Sequence, residues 1–72
     1  MERYVIKRED RPGQMLKKLS IGSYRIMGPD QWTTITSEAI QFSREEAEAT
    51  IEFITNVIDE YLGEQLYVGQ IT

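Results

Sequence analysis

"FSREEAEATIEFITNVIDEYLG", residues 42–63, decides the fold. Ser43 followed by Glu46 has the spacing of a capping box, in which serine accepts from the N–H three residues on and the glutamate reaches back. Ala47, Ile51, Ile54, Ile58 and Tyr61 then recur at helical spacing, flanked by Phe53, Val57 and Leu62. Gly63 stands where a C-cap glycine would end the helix. The reading is one amphipathic helix from Ser43 to Gly63, with its apolar stripe turned toward a sheet.

The sheet is read on either side of it. "RYVIKR" (3–8) alternates and is β-branched at its centre, and Pro12-Gly13 supplies a turn. Met15 to Leu19 fits the start of a strand or a short helical turn. A second strand is expected around residues 23–27, with Gly22 as a bulge and Gly28-Pro29 as its stop. Trp32 to Ile35 has strand-type residues, and "QLYVGQIT" (65–72) returns to strand character with Leu66 and Val68 on one face and Tyr67 on the other. The expected fold is α+β in the order β-β-β-α-β: a small antiparallel sheet of three to four strands, with one amphipathic helix packed on one face. Residues 1–72 make a single domain, near the size at which one core only just offsets chain entropy.

Composition removes whole classes of chemistry. The chain has no cysteine and no histidine, so thiol chemistry, a Ser-His-Asp triad and an ordinary zinc site are excluded. No EF-hand loop and no phosphate-binding glycine pattern is present, and paired catalytic carboxylates need a cleft that so small a domain scarcely provides. The expectation is a protein with no cofactor, no metal and no catalytic residue. No apolar run reaches the roughly 18 residues that span a bilayer, and no signal-peptide pattern is seen; the expected location is therefore the cytoplasm.

Charge is distributed unevenly. Residues 1–27 hold seven bases and three acids, a balance of +4; residues 28–72 hold nine acids and Arg44 alone, a balance of −8. Such asymmetry points to an electrostatic partner and says nothing about fold. On the helix, Glu45, Glu48, Glu52 and Asp59 fall opposite the apolar stripe. A solvated face with first-turn acids matched to the helix dipole explains part of this, but acids near the far end, Asp59 and Glu60, run against the dipole. Those residues make the case for a surface that engages a basic site on another protein, with Trp32 or Tyr67 as an anchor. Trp32 also reads as a cap on the core.

A second candidate is the basic turn. Lys7, Arg8, Arg11, Lys17 and Lys18 surround Pro12-Gly13, and Tyr4, Tyr24 and Trp32 on neighbouring strands would offer stacking surfaces for bases. Against a nucleic-acid module stands the chain's pI of about 4.7. A homodimer assembled through the last strand is a third expectation.

The opening "YVIKRED" and the later "W…EAIQFSREEAEATIEFI" resemble small phage and prophage proteins in which short strands precede "A-x-x-F-[ST]-x-x-E-A". The likeness spans roughly residues 3–55 and rests on Trp32, Ala39, Phe42, Ser43 and Ala47, positions that build structure. It implies the strands-then-helix fold and host cytoplasm as the location. Several characterised small acidic phage proteins, anti-CRISPR proteins and glycosylase inhibitors among them, occupy a basic site on a host defence protein or nucleic-acid enzyme. The resemblance therefore implies a non-enzymatic inhibitor or modulator of a host protein, and it assigns no functional residue.

Overall fold

The computed structural model describes residues 2–18 and 31–71. Strand β1 (Tyr4–Arg8) is the spine, pairing antiparallel with β2 (Met15–Leu16) on one side and with β4 (Leu66–Gln70) on the other. Strand β3 (Trp32–Thr33) pairs with β2, giving the order β3-β2-β1-β4. Both neighbours of β1 are antiparallel, so every connection could be a turn or an α-excursion without a parallel crossover. The strand expected at 23–27 lies outside the described residues.

Period-two alternation explains why β1 is buried on both faces. Tyr4 and Ile6 join Leu16, Trp32, Ala47, Ile54, Leu62 and Leu66 in the main core, with Phe42, Ile51, Ile58 and Val68 packed around it. Val5 meets Met15 and Ala39 on the opposite face, with Ile71 against them. Met15 and Leu16 thus enter as a strand. The strand expected over Trp32–Ile35 ends early, because Ile35 N–H donates to Thr33 Oγ1 (3.0 Å) and the chain turns into a 3-10 turn at Thr36–Glu38. Threonine here offers the backbone a local acceptor in place of a ladder bond.

The fold is α+β as expected, but its helical region is not one helix. Helix α1 (Arg44–Phe53) opens with the capping box: Glu46 N–H donates to Ser43 Oγ (3.2 Å) and Ser43 N–H to Glu46 Oε1 (3.0 Å). It widens into a π turn at Ile54–Ile58, closed by Asp59 N–H to Ile54 O (2.8 Å). Four β-branched residues (Ile54, Thr55, Val57, Ile58) and Asn56 make this the poorest helix-forming stretch of the region. Asp59 is extended (φ −157°, ψ 108°), and α2 (Glu60–Gln65) starts anew behind it.

Two expectations are corrected by that break. The restart resets the helical phase, so Leu62 turns inward and Tyr61 is 82% exposed rather than part of the stripe. Gly63 lies inside α2, not at a C-cap, and is needed because α2 folds back on the π turn: a Cβ there would overlap Thr55 Oγ1 and lie 2.7 Å from Thr55 Cα.

Candidate functional site

The outer face of α1 is the first candidate, and the structure keeps three of its four acids together. Glu45, Glu48 and Glu52 are exposed, on the side away from Ala47 and Ile54. At about 100° per residue, Phe53 falls on the flank of this row, and it is 44% exposed. Arg44 Nε sits 3.3 Å from Glu48 Oε1, an exposed i,i+4 pair that relieves part of the repulsion between Glu48 and Glu52. That hydrogen bond is the main reason the Arg44 guanidinium is pushed above its ordinary pKa. The Glu46 carboxyl is held below its usual value, first by the backbone N–H of Ser43; Glu46 belongs to the cap and not to the face.

Asp59 does not belong to this face. Its Oδ1 accepts from Leu62 N–H (3.2 Å) as the N-cap of α2, with Glu60 in the first turn. Both acids therefore stand at the start of a helix, where the dipole favours them. The sequence argument that found them unfavourably placed assumed an unbroken helix.

Trp32 is buried and does not present a surface anchor. The Arg8 guanidinium lies 4.7 Å from its ring centroid, a stacking arrangement typical of arginine on indole. Arg8 is itself 1% exposed and grips Asp10 with two bonds, Nε to Oδ1 at 2.9 Å and Nη2 to Oδ2 at 2.6 Å. The Asp10 carboxyl is lowered chiefly by this bond. Tyr67, the other proposed anchor, is exposed on β4, on the sheet face opposite the helices.

The basic turn is thinned in the same way. Arg8 is inside; Lys7 is half-buried with its side chain beside Gly69; Lys17 Nζ lies 3.9 Å from Glu38 Oε1. Arg11 and Lys18 are exposed. Tyr4 is buried and its hydroxyl donates to Glu2 Oε2 (2.6 Å), which raises its pKa; with Trp32 also inside, neither ring offers a stacking face. Tyr24 lies outside the described residues.

A cleft of about 290 Å³ opens between the end of β1 and α2, lined by Arg8, Asp10, Asp59, Tyr61, Leu62 and Gln65. Its carboxylates are already engaged, Asp10 by Arg8 and Asp59 by the α2 backbone. Among the described residues no cluster of three metal-ligating side chains occurs, and no helix is long and apolar enough to cross a membrane. The Arg8–Asp10 fork was missed in the sequence, because Arg8 ends β1 and Asp10 lies in the bend just beyond it, where the strand period assigns no face.

The residues thus define a small α+β protein that presents the exposed acids Glu45, Glu48 and Glu52 on the outer face of α1. Comparison with protein families, with curated proteins and with solved structures finds no match to this chain.

Proposed function

We propose that this is a non-enzymatic interaction protein, of phage or mobile-element origin and acting in the host cytoplasm, that binds and inhibits or modulates a host protein carrying a basic surface. The observation that carries the reading is the exposed row Glu45, Glu48 and Glu52 with Phe53 at its flank. Acids give steering and selectivity toward a basic partner, while an exposed aromatic beside them supplies apolar contact area. Asp59 and Trp32 are no longer part of the binding set, since one caps a helix and the other fills the core.

The test is capture of partners from host lysate with the tagged protein and with Glu48→Lys/Glu52→Lys, each washed at low and high salt. A host protein held by the native chain, released by salt and absent from the charge-reversed variant is the expected result. A partner retained equally by both proteins would refute the acidic-face reading.

A further inference from the structure

We infer that α1 and the π turn carry a docking ridge, Ala49, Phe53 and Val57, that receives a cationic amphipathic helix of the partner. The inference rests on the acidic-face reading and names the shape of what that face binds. The three residues follow one another at four-residue spacing. All are exposed, Phe53 to 44% and Val57 to 55%. In an α-helix each such step advances about 6 Å along the axis and drifts about 40° around it. Phe53 takes that drift from Ala49. The wider π turn at Ile54–Ile58 rotates less per residue, so Val57 falls back toward the line of Ala49 and the row stays straight. Glu45, Glu48 and Glu52 run along one side of it.

Single exposed apolar residues are ordinary, but a contiguous row bordered by charge marks a surface that a partner covers. Phenylalanine and valine are both mediocre helix formers, and at these exposed positions they bury little that would offset it. The π turn is a second sign, because such turns inside helices occur mostly at functional positions. Here its effect is geometric: it keeps Val57 in register with the ridge.

The chemistry selects the occupant. The backbone of α1 is bonded within the helix, so the ridge cannot template an added strand. A row at four-residue spacing instead fits the groove between side-chain rows of a second helix. The acids on its flank require lysine or arginine along the matching flank of that helix. They also oppose the other candidates. An anionic lipid surface is repelled by them, and a second copy brings the same acids and the same net charge of −4. A ridge of three side chains is a small interface, so the complex is weak and salt-sensitive.

The probe is a synthetic peptide of about 15 residues, with leucines at i, i+4 spacing and lysines along one flank. It is compared with a peptide of the same composition in scrambled order. Binding is followed by fluorescence anisotropy of the peptide and by amide shifts of the isotope-labelled protein, at two salt concentrations. Expected is roughly tenfold tighter binding of the patterned peptide, with shifts centred on residues 45–57 and a gain of peptide helicity. Phe53→Ser/Val57→Ser should weaken binding about fivefold or more at both salt concentrations and leave the salt dependence unchanged. Glu48→Gln/Glu52→Gln should weaken it at low salt and flatten the salt dependence. Equal binding of the two peptides, which needs no variant to fold, would overturn the ridge and leave the acidic face standing. So would undiminished binding by a folded Phe53→Ser/Val57→Ser chain. Binding that ignores both salt and Glu48→Gln/Glu52→Gln, or no binding of either peptide by the native chain, would overturn the acidic face and the ridge together.

Discussion

Replacing Gly63 by alanine sets two readings of the same residue against each other. Helix propensity alone favours the change, since glycine inside a helix costs about 1 kcal/mol relative to alanine. The packing opposes it. The new Cβ would overlap Thr55 Oγ1 and stand 2.6 Å from Thr55 Cβ and 2.7 Å from Thr55 Cα. Rotating Thr55 away relieves only the first contact, and it breaks the bond from Thr55 Oγ1 to Ile51 O (2.8 Å). The Cα cannot rotate away, so α2 must move off the π turn and carry Leu62, 3% exposed, out of the core. Overpacking of this kind costs about 1–3 kcal/mol and more where backbone is involved, which outweighs the propensity gain and leaves a net loss of about 2 kcal/mol. In a domain of this size that lowers Tm by roughly 10 °C. Thermal and urea unfolding followed by circular dichroism read it directly. Thr55→Gly combined with Gly63→Ala removes two of the three contacts and should recover part of the packing loss relative to the sum of the single variants. An unchanged or raised Tm for Gly63→Ala would refute the close approach and make position 63 an unhindered site in the helix interior.

Three further outcomes are expected. Tyr61→Ser should change stability by less than about 0.5 kcal/mol, whereas Leu62→Ala should cost about 2–5 kcal/mol; the opposite ranking in urea melts would mean that α1 and α2 form one continuous helix. The Asp10 and Glu46 carboxyls are both lowered in the folded chain, by Arg8 and by Ser43 respectively. Their contribution is therefore fully present above the ordinary carboxylate values of 3.8 and 4.5 and is lost as pH falls through the lower folded-state values. Urea midpoints measured from neutral pH down into this range should fall, and Asp10→Asn/Glu46→Gln should flatten the fall. Ser43→Ala should lose about 1 kcal/mol through the cap, read as a lower midpoint at neutral pH with an unchanged slope.

The α+β class and the capped start of α1 were legible because they rest on local signals: alternation in YVIKR, and Ser43 three residues before Glu46. The β4 strand was legible for the same reason, with Leu66 and Val68 inward and Tyr67 out. What the sequence did not disclose depends on contacts between distant segments. Tyr61 and Leu62 are adjacent and both apolar, and only the break at Asp59 decides which one is buried. Gly63 looks like a terminator until Thr55 is known to stand against it. Arg8 and Trp32 are 24 positions apart, so the stacking that takes an apparent surface base and an apparent surface anchor into the interior could not be read from either. The acidic face changed for the same cause: Asp59 and Glu60 seemed to need a partner only while one helix was assumed to run through them.

The central claim is that Glu45, Glu48 and Glu52 engage a basic partner. It is tested most directly by titrating the captured host protein, once purified, against the native chain and against Glu45→Gln/Glu48→Gln/Glu52→Gln at two salt concentrations. These positions are exposed, so the variant keeps its fold. The account predicts that the native affinity falls as salt rises, and that the variant binds at least tenfold more weakly at low salt with a shallower salt dependence. Equal affinities and equal salt dependence for the two proteins would contradict it.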